Sequence, residues 1–449
     1  MTQQIESIAR RARAAGLELA ALSTEVKNSG LKAVRSALVR HREDILAANM
    51  ADKKEARGLV KAGTMSQALA KRLDLQGSKF DAVLAGIDDV VRLPDPVGRT
   101  DSAVRLDEGL ELYRVSCPIG VLGIIFEARP DAAVQISTLA LKSSNAVILK
   151  GGREAERTNR ALVDAIREGI KDTGGVPEDA VQLISTREEV RAMLDLDRWI
   201  DLIIPRGSNE LVRSIQDSTR IPVLGHADGI CAVYIDDKAD VATAAAVALD
   251  SKAQYPAVCN AAETLLVHRD GMERILPEVA KRFREAGVEV RADTESMPFF
   301  SGARAATEAD FRTEFLDLVI AVKTVGSVEE AVEHINSHGS HHTDAIVTEA
   351  RETAEFFLSR VDSAGVFHNA STRFADGFRY GLGAEVGVST NKTHARGPVG
   401  LDGLVIYKYR LYGKGHGVAE YGSGGKSFLH EPIGGELKEG GLDPGSREP

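Results

Sequence analysis

Cysteine is scarce in this sequence. Its 449 residues contain three, Cys117, Cys231 and Cys259, with no CxxC pair and no disulfide-like spacing. That excludes a disulfide scaffold and points to a reducing compartment. Aromatic residues make up only 5% of the chain. No run approaches the roughly 18 apolar residues of a membrane-spanning helix. Residues 1–20 carry Glu6, Arg10, Arg11, Arg13 and Glu18 where a secretory signal would be apolar. The net charge is −10, with acids and bases intermixed, so there is no basic footprint for nucleic acid or a membrane surface. A cytoplasmic protein without nucleic-acid or membrane partners is expected. A GxGxxG fingerprint is also missing between Gly120 and Gly229, so a dinucleotide would have to bind in another way.

What is present is enough for substantial cores. Hydrophobic residues make up 43%, and the length fits one large or two to three ordinary domains. Residues 1 to about 92 read as helices, with apolar positions at spacings of three and four and breaks at Gly30 and Gly63. From residue 121 short apolar runs alternate with helical stretches. Strands are expected at 121–126, 146–149, 202–204 and 230–235, with helices at 131–142, 154–171, 187–194 and 207–218. That spacing predicts a parallel, doubly wound α/β domain. A second α/β domain follows, with strands at 264–267, 319–322 and 344–347 and helices at 239–254, 276–286, 328–336 and 353–358. Residues 371–400 read as a long ordered loop, 404–409 as a last strand, and the Gly, Pro, Glu and Lys composition beyond 430 as a disordered tail.

Five stretches carry chemistry. Cys259 lies among small residues after Pro256 and before an apolar strand, so a thiolate there can attack an acyl carbonyl; the commonest fate of a free cysteine is nevertheless burial. Lys150-Gly151-Gly152-Arg153 follows a strand, where parallel sheets bind ligands. Gly207 and Ser208 open a helix and offer backbone donors to a phosphate, although Ser208 can equally be a simple cap. Arg129, before Pro130 at a strand end, is placed for an anion or for a surface ion pair. His334, His338, His341 and His342 cluster without the HExxH glutamate, which favours a polar anion-binding loop over a metal.

Together these stretches resemble the aldehyde dehydrogenase superfamily, most closely its glutamyl-phosphate-reducing branch. The likeness rests on 118–130, on Ser144-Asn145 through Gly152, on Val258-Cys259-Asn260-Ala261, on 334–346, and on Glu385 through Lys392. It runs to about residue 430. It implies an α/β fold of two doubly wound domains plus a small oligomerisation β-flap. The implied division is a cofactor-binding domain at 1–227, with 118–135 contributing to the flap. A catalytic domain follows at 228–366, then a return at 367–430 with a substrate loop and oligomerisation element, and a tail at 431–449. The resemblance makes Cys259 the nucleophile; from the chemistry, its backbone N–H is one candidate for the oxyanion donor and Asn145 a weaker one. It assigns Lys150 to the adenosine ribose, Gly207 and Ser208 to the pyrophosphate, and Glu314 to the nicotinamide ribose. The Gly-Pro that normally follows that glutamate is missing. Arg129, His341 and His342 become candidates for substrate phosphate, and Asn391 and Lys392 for the amino-acid end; no metal is implied.

Two departures refine the expectation. Oxidising members carry a water-activating glutamate where this chain has Val223, in Val223-Leu224-Gly225-His226. A thioester formed here would then persist until phosphate or hydride reaches it. Three residues past the cofactor lysine stands Arg153 in place of an acid, which favours the 2′-phosphate of NADP(H). The implied reaction is NADPH-dependent reduction of L-glutamyl 5-phosphate to L-glutamate 5-semialdehyde and phosphate, the second step of proline biosynthesis. The implied partners are the small-molecule substrates, other copies of the chain, and a transient glutamate 5-kinase contact. A coenzyme A-dependent acylating enzyme and a catalytically silent binding protein are the alternatives.

Overall fold

The structure is a computed structural model that describes residues 2–225, 228–422 and 424–434. His226, with which the Val223 motif ends, and the expected tail from residue 435 lie outside the described residues.

The chain divides into two compact units. The first holds the chain up to Ile204, Ser218–Val223, and the chain from Gly400; the second holds Pro205–Asp217 and Leu224–Val399. These limits differ from the expected 227 and 366. Residues 367–399 stay with the second unit because their polar groups are bonded there: Thr372 Oγ1 donates to the Asn260 carbonyl at 2.7 Å, and Asn260 Nδ2 donates to the Ala375 carbonyl at 2.8 Å. Residues 205–217 join it because Asn209 Nδ2 donates to both Asp228 and Glu314, each at 2.9 Å.

The first unit opens with the helices Thr2–Leu19, Thr24–Arg40, Arg42–Lys61, Gln67–Arg72 and Ser78–Arg92. Gly30 lies inside the second of these and does not break it; a side chain there would meet Val176 at 2.9 Å. A parallel sheet runs in the order Val181–Ile184, Ala146–Lys150, Val121–Phe126, Leu202–Arg206. All six residues of Val121–Phe126 are buried, which is why that strand reads as an unbroken apolar run. The strand Val181–Ile184 had no such signature, because only four residues precede the capping box of Thr186 and Glu189.

A separate antiparallel sheet has the order Val405–Tyr412, Leu110–Pro118, Thr100–Asp107, Glu431–Pro432. It corrects two expectations. Of residues 118–135 only Pro118 lies in this sheet, paired with Val405; the rest include a buried parallel strand and the start of the buried helix Pro130–Lys142. The flap-like sheet instead comes from 100–118 and 405–412, whose charged residues hide strands that are half exposed. The tail also begins later than expected, since Glu431 and Pro432 pair with Arg105 and Val104.

The second unit is built on a seven-stranded sheet. Its order is Arg304–Ala305, Glu289–Ala292, Val319–Val325, Ala262–His268, Cys231–Ile235, Thr343–Val347, Gly365–His368, and every pairing is parallel. Val233, Leu265, Val322 and Ala345, none of them exposed, alternate into one core on a face of this sheet. Truncating a side chain such as Leu265 to alanine in a core of this kind typically costs about 2–5 kcal/mol. The helix Val241–Ala253 starts where Asp240 accepts the Thr243 N–H at 2.8 Å, and it delivers the chain to the cysteine loop.

Candidate active site

In the second unit, Cys259 lies in the loop between the helix Val241–Ala253 and the central strand Ala262–His268. Its side chain is partly exposed, while Asn260 and Ala261 after it are buried. The loop is fixed from below. Gly229 packs so closely that a Cβ on it would fall 2.3 Å from the Cys259 carbonyl oxygen and 2.4 Å from its Cα. Only glycine fits there. The Cys231 thiol donates to the same carbonyl oxygen at 3.3 Å. Full burial pushes the Cys231 thiol well above the usual range, so it remains a protonated donor.

A polar layer supports Cys231. The His342 Nδ1 lies 3.7 Å from its sulfur and 3.0 Å from Thr343 Oγ1. Asp344 accepts from the Ala232 N–H at 2.7 Å and from Ser363 Oγ at 2.5 Å. His342 is buried to within 1%. It therefore supports the cysteine loop and offers no surface to a substrate phosphate, contrary to its expected role. His341 is partly exposed, holds a left-handed backbone at φ 59°, and bonds through Nδ1 to the Asp362 carbonyl at 2.7 Å. The Asp362 carboxylate in turn pairs with Lys392 and with Arg396, the latter at 3.1 Å. His341 and Lys392 are thereby brought to one residue, with Asn391 adjoining.

The stretch 371–375 closes on the cysteine loop through Thr372 and Asn260. Ser251 Oγ and Ser371 Oγ lie 3.2 Å apart, and Ser251 also accepts the Thr372 N–H. Arg373 is buried and its Nε donates to Gln254 Oε1 at 2.9 Å. Burial, then Arg379 beside it, hold its guanidinium below its ordinary value, while Cys259 and the acids Asp376 and Asp250 act in the opposite sense. A cation near the thiol was not singled out from sequence, because Arg373 is 114 positions along the chain from Cys259.

Glu314 is half-buried, and its Oε2 accepts from Asn209, the first residue of the helix Asn209–Ser218. Its other oxygen has no partner among the described residues. Ser208 caps that helix, with Oγ accepting the Leu211 N–H at 3.4 Å. Gly207, Ser208 and Glu314 are thus joined through one asparagine. The donor set suits a ribose and a phosphate: backbone amides at a helix start and a carboxylate whose second oxygen has no partner among the described residues.

In the first unit, Lys150 ends the strand Ala146–Lys150. Its ammonium is half-buried and makes no hydrogen bond or ion pair among the described residues. Burial lowers its proton affinity, which Glu154 and Glu127 partly restore. Arg153 and Arg160 line one surface cleft, and Arg160 Nη2 donates to Ser185 Oγ at 3.3 Å. Arg187 stands close enough to Lys150 to disfavour its charge. Sequence reading missed Arg187, although Lys150 and Ile184 are register partners and so place its loop at the same sheet end. This collection of cations also suits a nucleotide.

Arg129 is exposed at the start of the helix Pro130–Lys142 and pairs with Asp131 at 3.3 Å. Asn145 does not match its expected role. It is fully buried, its Nδ2 donates to the Leu404 carbonyl at 2.8 Å and to Ser143, and its Oδ1 accepts the Gly120 N–H. With its amide committed to backbone, it is a clamp within the first unit and no oxyanion donor. No group of residues able to hold a metal occurs among the described residues, and no described helix is long and apolar enough to cross a membrane.

Residues 1–311 match the model of the aldehyde dehydrogenase family. The gamma-glutamyl phosphate reductase of Methanosarcina mazei is 52% identical over 439 residues, covering 96% of this chain and 98% of its own. That of Acetivibrio thermocellus is 52% identical over 429 residues, with the same coverage of 96% and 98%. The crystal structure of gamma-glutamyl phosphate reductase from Thermotoga maritima superposes with a TM-score of 0.88 at 40% identity, covering 92% of this chain and 99% of that one.

Proposed function

From the premise that this chain belongs to the aldehyde dehydrogenase family, and within it to the gamma-glutamyl phosphate reductases, we propose how its own residues carry the reaction. The resemblance read from 144–152, 258–261 and 385–392 is borne out, as are the expected fold class and the enzymatic function. The enzyme is an oxidoreductase of proline biosynthesis that reduces L-glutamyl 5-phosphate to L-glutamate 5-semialdehyde and phosphate, with a nicotinamide cofactor.

The Cys259 thiolate attacks the acyl carbonyl, the carbon–oxygen bond to phosphate breaks, and a thioester remains on the sulfur. A nicotinamide cofactor, when bound, would supply the hydride that reduces this thioester. The resulting thiohemiacetal then releases aldehyde and returns the thiolate. The backbone N–H of Cys259 faces the developing oxyanion. In the second unit Arg373 and His341 are the groups for the phosphate, and Lys392 and Asn391 those for the amino-acid end; in the first unit Arg129 is a further phosphate candidate. An apolar Val223 at the water-activating position leaves hydrolysis slow. We read the cofactor as NADP(H): in the first unit Arg153, with Arg187 near Lys150, would meet a 2′-phosphate and Lys150 an adenosine ribose; in the second, Gly207 and Ser208 would meet a pyrophosphate and Glu314 a nicotinamide ribose.

Copies of the chain associate through the antiparallel sheet. Its edge strand Val405–Tyr412 exposes Ile406, Tyr407, Tyr409 and Leu411, a combination that unpaired edges otherwise avoid. Hydrolysis of the acyl phosphate favours direct transfer from glutamate 5-kinase. The place of action is the cytoplasm.

The observation that carries this reading is the thiol held partly exposed between Gly229, Cys231 and Arg373. The test is reduction of NADP⁺ by glutamate 5-semialdehyde, with phosphate or coenzyme A as acceptor. We expect phosphate dependence, and its abolition in Cys259→Ala with NADPH binding intact. Turnover in that variant within about tenfold of wild type would refute the thioester, since loss of a covalent nucleophile costs orders of magnitude.

A further inference from the structure

The cysteine loop has two buried ends. Lys252 lies in the last turn of the helix before it, and Glu263 is the second residue of the strand after it. Neither is exposed at all, and Nζ and Oε2 are 2.5 Å apart. Taking both charges out of water is costly, and an apolar pair of similar volume is often at least as stable. Stability alone therefore does not account for the pair.

Glu263 makes a second bond. Its Oε1 accepts the backbone N–H of Leu316 at 3.3 Å. Leu316 adopts φ 53°, a left-handed conformation that residues with a Cβ avoid. Its side chain is 46% exposed, so side-chain packing does not explain the turn. The turn sits two residues after Glu314. Phe315 between them lies under the Arg291 guanidinium at 4.8 Å. The segment 314–316 is therefore pinned at Asn209, Arg291 and Glu263, and only the last of these belongs to the frame of the cysteine loop.

We propose that Glu263 is a positioning residue: through Leu316 it fixes the Glu314 turn against the frame that carries Cys259, so that the ribose-holding carboxylate and the thiol keep one spacing. Hydride transfer depends on such spacing, since small misplacements of reacting groups cost large factors in rate. Burial pushes the Glu263 carboxyl up to about 7, and Lys252 opposes that shift while holding the carboxylate toward the Leu316 amide. The inference rests on the assignment of Glu314 to the nicotinamide ribose.

Two double variants of the full-length enzyme separate positioning from stability. Lys252→Met with Glu263→Gln removes both charges and keeps an acceptor for Leu316. Lys252→Met with Glu263→Leu removes the acceptor as well. NADPH affinity is read by fluorescence titration without substrate, and the Cys259 thiol by its rate of alkylation. We expect the Leu-containing pair to bind NADPH about tenfold more weakly than the Gln-containing pair, the effect of about one buried hydrogen bond. Alkylation should be equal in both. Equal NADPH affinity in the two variants would overturn the proposal, as would alkylation altered by the same factor as binding. Should the Leu-containing pair not fold, Glu263→Asp serves in its place, because it keeps the charge for Lys252 but falls one methylene short of Leu316; wild-type affinity there would also overturn the proposal. Glu314→Gln is the control. If it binds NADPH as wild type does, the ribose assignment fails; if it weakens binding while the two pairs agree, only the role of Glu263 fails.

Discussion

The two units present their chemistry in opposite ways. At the end of the strand Ala146–Lys150 the functional groups come from two loops at one sheet end, and the side chains of Lys150, Arg153 and Arg187 have no hydrogen-bonded partner among the described residues. Around Cys259 the bonded polar groups tie distant elements together, with Asn260 Oδ1 and Thr264 Oγ1 left unbonded among the described residues, and the bonds reach 112 positions along the chain to Thr372 and 28 back to Cys231. A binding site for a flexible ligand tolerates mobile cations waiting at a rim. A nucleophile that must meet a carbonyl at one angle requires a frame, and the frame must come from several elements. Substitutions should therefore act differently in the two places: through the backbone at Cys259, through charge at Arg153.

Outside the nucleophile itself, the largest effect should come from Gly229→Ala. The added Cβ would overlap the Cys259 carbonyl and Cα, and both belong to backbone that cannot rotate away. The loop must shift, and the Cys259 amide proposed as the oxyanion donor shifts with it. We expect kcat to fall by about 100-fold, the scale of a lost oxyanion donor, while NADPH affinity stays within about twofold. Steady-state kinetics beside a binding titration checks this. If affinity fell as far as kcat, the two sites would not be separable in this way.

Arg153→Gln probes the other side. A cation facing a 2′-phosphate discriminates NADPH from NADH, and its removal should lower the ratio of the two kcat/KM values by about tenfold, chiefly through KM. The rate with saturating NADPH should hardly move, because no backbone depends on the side chain. An unchanged ratio would pass the role to Arg187 and Arg160. Equal use of both cofactors by the wild-type enzyme would remove NADP preference altogether.

The same contrast explains what was legible in the sequence. The buried parallel strands announced themselves as apolar runs, and Lys150 and Arg153 lay within four residues of one. The cysteine was visible as a small-residue island. Its supports were not: Gly229, Cys231, Glu263 and Arg373 acquire meaning only when strands far apart in sequence become neighbours. Asn145 and His342 were misjudged for the same reason. Each is polar and adjacent to a motif, but burial commits one to the Leu404 carbonyl and hides the other behind Cys231. Of the antiparallel sheet only the strand at 404–409 was legible; 100–107 and 110–118 are mostly half exposed, so no regular alternation of apolar and polar residues marks them.

The frame around Cys259 also extends to a charge inside the sheet, and that charge gives the smallest and most specific effect. Asp344 is fully buried, one residue from the strand start, and bonds to Ala232, the neighbour of Cys231. Burial pushes its carboxyl up to about 7, although Ser363 and the Ala232 N–H act to lower it. Because the folded value lies above the unfolded one, the folded state holds a proton that the unfolded chain releases. The stability this brings is complete below the unfolded value near 4 and is lost as pH rises through about 7. Asp344→Asn keeps one acceptor for Ala232 and cannot ionise. Between about pH 5 and pH 8 its melting temperature should therefore fall less than that of wild type, by a few degrees, on the order of 1–2 kcal/mol at this chain length. The rim cations of the first unit have no comparable buried acid to answer to, so Arg153→Gln should leave the pH slope unchanged. Parallel slopes for wild type and Asp344→Asn would mean that Asp344 is ionised in the folded protein, its charge held by the Ser363 hydroxyl and the Ala232 amide.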